Sequence, residues 1–337
     1  MVFRLDFAAM SLTALEGHRR PEPRERLANL LKAAGDPRRL DILRVLSDKS
    51  FDVRELCEIF GMRQSGLSHH LKVLANAGLV TTRREGNSVF YRRQLPPREA
   101  VIGTPQQAVF DALDQQELET SLQERMAAVE TRRAERGRAF FARHAARLDE
   151  RRELIANHEQ YGELACSLLD QALPDGGDSA LEVGPGEGRF LPALSRRFRR
   201  VTGLDNSPAM LERARQAADA GQLDNVRLVT GDWPEEAPAE GFDAIVLNMV
   251  LHHLPAPADS FGRAASLLRP GGVLLITELC RHDQAWAQES CGDLWLGFDS
   301  EDLYAWAQRA GLDAIAAQFQ GQRNGFQVQV RSYRLRT

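Results

Sequence analysis

The chain has no apolar run approaching the ~20 residues that cross a hydrocarbon core as a helix. Its first twenty residues (MVFRLDFAAMSLTALEGHRR) mix acids with apolar side chains and hold no small-residue cleavage pattern. Neither a membrane span nor a secretory leader is expected, and a cytoplasmic location is. Cysteine is scarce. Cys57, Cys166, Cys280 and Cys291 form no CxxC pair and no His/Cys cluster with metal-ligand spacing, so no disulfide framework and no metal site is expected. Lysine is scarcer still: only Lys32, Lys49 and Lys72 stand among 43 basic residues, a bias that reflects genome composition more than function. No glycine loop is followed by a Lys-Ser/Thr pair, which excludes a P-loop.

At 337 residues the chain exceeds the usual single-domain size, and two domains of roughly 100–200 residues are expected. The net charge of −4 hides an asymmetry. Residues 1–100 hold 18 Lys and Arg against 12 Asp and Glu, a balance of +6, which leaves 25 against 35 for the remainder. A basic N-terminal third beside an acidic remainder fits a nucleic-acid module joined to something else.

After an N-terminal arm (1–23), four helices and a hairpin can be placed. The first covers 24–34, with Leu27, Leu30 and Leu31 at helical spacing. Asp36-Pro37 starts the second, with Asp as N-cap and Pro in the first position. Asp52 caps a third helix carrying Leu56, Ile59 and Phe60, and Gly61 makes a tight turn. In the fourth, 64–77, Leu67, Leu71 and Leu74 recur at i, i+4, i+7 and face a core. That leaves Gln64, Ser65, Ser68, His69 and Lys72 outward, where short polar side chains suit base edges and phosphates of the major groove. Gly78 stops the helix, and LVTTRREGNSVFYRR alternates as a hairpin around Gly86-Asn87. Its Arg83, Arg84, Arg92 and Arg93 are placed along a DNA backbone.

Through GDPRRLDIL, ELCEIFGMRQSGLSHHLKVLANAGLV and REGNSVFYR, residues 24–93 resemble the winged helix of the ArsR/SmtB repressors. The resemblance implies a dimer that binds double-stranded operator DNA through the fourth helix and the wing. Many such proteins sense thiophilic metals through a Cys pair in the third helix. Here Ile59 stands where the second Cys would follow Cys57, and one thiol does not close a tetrahedral site.

From Pro105 to Glu153 the sequence reads as one helix within a connector (101–153). Val109, Leu113, Leu118, Leu122, Met126 and Val129 recur at mixed spacings of three to five. By resemblance it extends the dimerisation helix; a solvated spacer held by i,i+4 charge pairs is the alternative. The stretch RAFFARHAARLDERREL (138–154) resembles the lid of many methyltransferases, with Leu148 where Tyr or Trp is common. Phe140 and Phe141 close over a ligand or pack in a core, and His144 and Asp149 accompany them.

From Asp178 short apolar runs alternate with helical stretches, which predicts a doubly wound, largely parallel α/β sheet. Strands are expected at 180–183, 200–204, 226–230, 244–247, 273–278, 312–320 and 326–334, the last antiparallel across the turn Gly321–Gly325. After the first comes Glu182-Val-Gly184-Pro185-Gly186-Glu-Gly188. It fails the dinucleotide fingerprint because Arg189 sits where the third glycine belongs. Asp205 ends the second strand, where one carboxylate can accept from both ribose hydroxyls. Gly231-Asp232-Trp233 follows the third, Asn248 the fourth, and an RPGG turn (Arg269–Gly272) precedes the fifth.

In this order the elements resemble the class I S-adenosylmethionine-dependent methyltransferases. The resemblance implies a Rossmann-like domain (154–337) binding S-adenosylmethionine or S-adenosylhomocysteine. Gly184, Pro185, Gly186 and Gly188 would line the amino-acid end, with Glu182 supporting the loop. Asp205 and Asn206 would hold the ribose side, Met210 the adenine face, Asp232 the adenine amino group and Trp233 its edge, with Asn248 nearby. His252 and His253 lie where acceptor-side residues often lie and are either catalytic or an ordinary buried and exposed pair. The absence of an NPPY-like tetrapeptide argues against a nucleobase amino group as acceptor.

Fusions of this layout resemble S-adenosylhomocysteine-responsive regulators of the methionine cycle. Two functions therefore stand: a dimeric transcriptional repressor with a small-molecule effector, or an active small-molecule methyltransferase with an autoregulatory DNA-binding domain. The motifs alone do not separate them, because cofactor motifs serve sensors and enzymes alike.

Overall fold

Asp36 accepts a hydrogen bond from the Arg39 N–H, and Pro37 occupies the first helical turn, which together fix the start of α2 (Pro37–Val45). Asp52 and Glu55 satisfy each other's backbone N–H groups in a capping box at the head of α3 (Val53–Phe60). Gly61, at φ +61°, then reverses the chain into α4 (Gln64–Asn76). In this computed structural model, residues 22–85, 88–97, 99–144, 155–156 and 158–336 are described. Almost all of the expected arm, the hairpin tip Gly86-Asn87, and Leu148 and Asp149 of the expected lid lie outside them, as do the side chains of Phe141 and His144.

Leu30 of α1 (Pro23–Ala34), Leu43, Leu56, Ile59, Leu67, Leu71 and Leu74 close one N-terminal core. The hairpin β2 (Val80–Glu85) and β3 (Ser88–Arg93) is antiparallel, and the short β1 (Phe51–Asp52) pairs with β3 as a third strand.

The connector is two helices, not one: α5 (Ala100–Asp114) and α6 (Thr120–His144), broken at 115–119. Its mixed apolar spacing has a physical cause. Ile102, Phe110 and Leu113 serve the side facing α1 and α2, whereas Leu122, Met126 and Val129 serve the side facing α3. A single straight helix cannot present both stripes to one core.

The remaining chain builds α7 (His158–Ala172), β4 (Gly177–Val183), α8 (Leu191–Ser195), β5 (Phe198–Asp205), α9 (Pro208–Ala220), β6 (Val226–Thr230) and β7 (Phe242–Asn248). After a 3₁₀ turn (Leu251–His253) come α10 (Asp259–Leu267), β8 (Leu268–Leu279), α11 (Trp286–Cys291), α12 (Ser300–Arg309), β9 (Leu312–Gly321) and β10 (Gln327–Leu335). The seven-stranded sheet runs β6-β5-β4-β7-β8-β10-β9, parallel except for β10, which is antiparallel to both neighbours. Alternate residues serve opposite faces: Ala180, Val246 and Leu275 one core, Leu181, Ile245 and Leu274 the other. RPGG, expected as a turn before the fifth strand, is a bulge inside β8, since Leu268 pairs with Phe242 and Val273 with Ala244.

Candidate functional site

Chain order reverses at β4, whose neighbours are β5 on one side and β7 on the other, so a crevice opens at the carboxyl ends of these strands. A cavity of about 570 Å³ lies there. It gathers Glu182, Gly184, Pro185, Gly186, Asp205, Asn206, Met210, Asp232, Trp233 and Asn248 from four strand ends. Gly188 is not on its wall; it turns the chain beneath, where an added Cβ would sit 3.2 Å from the Ala214 Cα.

The glycine loop is held in a conformation that L side chains resist. Gly184, Gly186 and Gly188 have φ of +62°, +57° and +76°, and a Cβ on Gly184 would lie 2.8 Å from Val250 Cγ2. Glu182, next to last in β4, is buried. Burial pushes its carboxyl up to about 8, with a side-chain hydrogen bond from Asn248 opposing the shift. Asn248 also accepts from the Thr277 hydroxyl at 2.7 Å.

Asp205 accepts from the Ser207 N–H at 2.8 Å and so turns the chain into α9. Asp232 accepts from Asn206 Nδ2 at 2.6 Å and from Arg138 Nη1 at 3.1 Å. Trp233 is buried and donates to the Ser260 hydroxyl at 3.0 Å. Met210 is buried against the cavity wall.

His252 and His253 line the same cavity. His252 is not an idle core imidazole. Its Nδ1 lies 2.5 Å from Glu278 Oε1, and its backbone N–H donates to Glu278 Oε2 at 2.9 Å. Asp293, with no side-chain exposure, lies 3.8 Å from a ring nitrogen of each histidine. Folding thus brings His252, His253 and Asp293 together from positions forty residues apart, which sequence spacing does not reveal. Arg138, the first residue of the expected lid, also lines the cavity, as do His158 and Tyr161, which no motif announced although they stand at i, i+3 on one helix face. Burial drives the His158 imidazole down to about 4, with Arg189 adding to the shift.

On α4, Gln64, Ser65, His69 and Lys72 are exposed and Ser68 half-buried, so one polar helix face is open to solvent. The wing differs from expectation. Of its four expected arginines, Arg84 alone is exposed. Arg83 is buried, paired with Glu85 and donating to the Gly297 carbonyl. Arg92 pairs with the buried Asp302, and Arg93 donates to the Leu43 carbonyl at 2.6 Å and pairs with Asp114 at 2.9 Å. Acids and backbone carbonyls hold these three guanidiniums, which removes them from the row expected along DNA.

The wing and the cavity are joined by contacts. Glu85 accepts from the Leu296 N–H at 2.7 Å, and Phe90 packs on Trp295 with ring centroids 5.1 Å apart. Trp295 donates to the Leu254 carbonyl on the cavity wall at 2.8 Å.

Residues 156–328 match the family described as a methyltransferase domain, and residues 36–82 match the arsR family of bacterial regulatory proteins. An uncharacterized methyltransferase of Mycobacterium bovis is 36% identical over 112 residues, covering 33% of this chain and 55% of that protein. The malonyl-acyl-carrier-protein O-methyltransferase of Paenibacillus sp. is 36% identical over 141 residues, 40% of this chain and 49% of the relative. The chain thus spans about half the length of these curated relatives. Among solved structures, the 1,6-didemethyltoxoflavin-N1-methyltransferase of Burkholderia thailandensis, with bound S-adenosylhomocysteine, has a TM-score of 0.50 at 22% identity. It covers 62% of this chain and 91% of its own, and shares the fold. No helix among the described residues is long and apolar enough to cross a membrane.

Proposed function

Because the chain belongs to the methyltransferase-domain family and carries an arsR-family regulatory domain ahead of it, we propose that it is a DNA-binding transcriptional regulator, a repressor, with a ligand-sensing C-terminal domain. Its cavity takes S-adenosylhomocysteine or S-adenosylmethionine as effector and reports occupancy to the winged helix. Methionine-cycle genes are the targets that its resemblance to known regulators implies.

The cavity fits such a ligand. Its glycine loop admits close backbone approach, and the Glu182 carboxyl and Asn248 amide line the cavity as polar groups. Gly184, Pro185 and Gly186 would hold the amino-acid end, with Gly188 and Glu182 supporting the loop. Asp205 and Asn206 would hold the ribose, and Met210, Asp232 and Trp233 the adenine side, with Asn248 beside Glu182 at the other end. When bound, S-adenosylmethionine supplies an electrophilic methyl group; as effector, either ligand supplies only binding free energy.

On the N-terminal side, the open face of α4 (Gln64, Ser65, Ser68, His69, Lys72) and Arg84 would meet double-stranded operator DNA. Leu31 on α1 and Val101 on α5 are more than half exposed on helices that pack together, which supports a homodimer through that face.

The observation that carries the sensing proposal is Arg133 of α6. Its guanidinium pairs with Glu55 of α3 at 2.6 Å, donates to the Ser50 carbonyl at 3.0 Å, and donates to the Pro255 carbonyl at 3.1 Å. Pro255 lines the cavity, so one side chain touches both the helix-turn-helix and the ligand site. A ligand shifts the DNA equilibrium only through unequal affinity for two states, and this contact gives the two sites a shared element.

The test is fluorescence anisotropy of the protein on DNA from upstream of its own operon, titrated separately with the two ligands. A selective change with S-adenosylhomocysteine supports the proposal; unchanged DNA affinity at saturating occupancy refutes it.

A second reading, an active small-molecule methyltransferase with an autoregulatory DNA-binding domain, is favoured by one observation. The His252–Glu278 pair at the cavity wall is the arrangement of a base oriented by a carboxylate. It predicts methyl transfer to an acceptor that is lost in His252→Ala.

A further inference from the structure

We propose that Arg138 gates the adenine end of the cavity. Its guanidinium and the exocyclic amino group of the ligand's adenine compete for the Asp232 carboxylate, and the outcome is passed to α6. The gate rests on the reading of the cavity as an S-adenosyl ligand site and names how that site is regulated.

The gate stands on a helix with two contacting faces. Ala127, Glu130, Thr131, Ala134, Gly137 and Arg138 of α6 line the cavity. They fall at i, i+3, i+4, i+7, i+10 and i+11, which is one side of a helix. The other side serves the helix-turn-helix. Leu122, Met126 and Val129 pack in the N-terminal core, and Arg132 pairs with Glu58 of α3 at 2.5 Å. A rearrangement at the cavity wall is therefore a rearrangement of the helix against which α3 packs.

Charged contacts fasten the cavity-lining face at two levels. Lys49, between α2 and β1, lies 2.5 Å from Glu130 of α6 and 3.3 Å from Asp259 at the head of α10. Eight residues beyond Glu130, about 12 Å along the helix axis, Arg138 Nη1 donates to Asp232 Oδ2 at 3.1 Å. The Lys49 and Glu130 side chains are 21% and 22% exposed, against 41% and 37% for Arg138 and Asp232. The Arg138 end can therefore open into water while the Lys49 end holds.

Both oxygens of Asp232 are engaged in the conformation described. Oδ1 accepts from Asn206 Nδ2 at 2.6 Å, and Oδ2 accepts from Arg138. Asn206 follows β5, whose neighbour β6 leads to Asp232, so it belongs to the same wall of the cavity. Arg138 reaches in from α6, and it is the donor that a ligand amino group displaces. The exchange replaces a charge-assisted hydrogen bond with a neutral one, which costs the ligand affinity. By linkage, the ligand weakens the Arg138–Asp232 pair by the same factor that the pair weakens the ligand. With both side chains more than a third exposed, that factor is roughly two- to fivefold.

The test is calorimetric titration of the full chain with S-adenosylhomocysteine, in a double-mutant cycle of Arg138→Met and Asp232→Asn. Methionine keeps the length of the side chain without a donor. Arg138→Met should bind S-adenosylhomocysteine about two- to fivefold more tightly than the unaltered chain. In the Asp232→Asn background the gain should disappear, because the carboxylate under competition is gone; a gain from apolar packing of the methionine would persist there. Arg132→Met breaks an ion pair on the other side of the same helix and should leave the affinity unchanged. Thermal melts of all variants identify any loss of folding. The factor by which S-adenosylhomocysteine changes DNA affinity should also shrink about two- to fivefold in Arg138→Met. Unchanged or weaker ligand binding in Arg138→Met, an equal gain in both backgrounds, or an undiminished DNA response would overturn the gate and leave the ligand site standing. No binding of S-adenosylhomocysteine by the unaltered chain would overturn the reading of the cavity, and the gate with it.

Discussion

Arg92 of the wing and Asp302 near the start of α12 form an ion pair across 210 positions of sequence, with the Asp302 side chain only 5% exposed. Asp299 stands 3.9 Å from the same guanidinium. Under the regulatory proposal this pairing withholds from DNA a cation that a wing would otherwise offer, so the conformation described is the DNA-poor one.

Asp302→Asn should therefore return Arg92 to the wing. Operator affinity at about 0.1 M salt is expected to rise several-fold, and the slope of log K against log salt to steepen by about 1. The same change leaves a half-buried guanidinium with only the longer Asp299 contact, at a cost of about 1–3 kcal/mol in stability. Anisotropy at three salt concentrations, with a thermal melt, separates the two effects. A lower melting temperature with an unchanged slope means that the pair is structural only.

Gly184→Ala tests the cradle. The new Cβ would lie 2.8 Å from Val250 Cγ2 at a backbone φ of +62°, a region L residues adopt at a cost. The apo protein should lose about 1–3 kcal/mol. The thermal shift produced by S-adenosylhomocysteine at saturation should vanish, because a ligand stabilises only the state it binds. A retained shift places the ligand elsewhere.

How much of this was legible in the sequence depended on range. Asp36-Pro37, the Asp52 cap and the glycine loop act within a few residues, so their spacing announced them. The wing arginines were misplaced because their partners are remote: the Gly297 carbonyl that accepts from Arg83 lies 214 positions away. For the same reason Asp293 gave no signal beside His252 and His253, since folding alone brings it within 3.8 Å of a ring nitrogen of each. The break at 115–119 was hidden because an apolar pattern of mixed spacing fits one irregular helix as well as two regular ones.

Glu182 should give the apo protein a distinct pH profile. Burial pushes its carboxyl up to about 8 in the folded chain, against an ordinary 4.5. Between these values the folded chain keeps a proton that the unfolded chain has released. Its contribution is therefore fully present below about 4.5 and is lost as pH rises through 8. His158, lowered to about 4, acts in the opposite sense, losing stability as pH falls from 6.5. Glu182→Gln should leave the acid limb from His158 and flatten the alkaline one, a difference on the order of a few kcal/mol. Urea unfolding of both proteins at pH 5.5, 7 and 8.5 measures it, and parallel curves would disprove the buried protonated carboxyl.

Arg133→Lys separates binding from transmission. The guanidinium makes a two-point pair with Glu55, at 2.9 and 2.6 Å, and donates to the Ser50 and Pro255 carbonyls. It also lies 5.1 Å from the ring of Phe51, 5.3 Å from Phe90 and 5.4 Å from Trp295. Lysine keeps the charge but cannot reproduce a planar fork that reaches four acceptors and stacks on aromatic rings. Stability should fall by about 2–4 kcal/mol, while calorimetric affinity for S-adenosylhomocysteine changes less than about twofold, because Arg133 does not line the cavity. The change in DNA affinity on adding that ligand, about 5–150-fold for an ordinary allosteric coupling, should collapse toward unity. If Arg133→Lys binds ligand normally and its DNA response is undiminished, the signal travels by the Glu85–Leu296 and Phe90–Trp295 contacts alone.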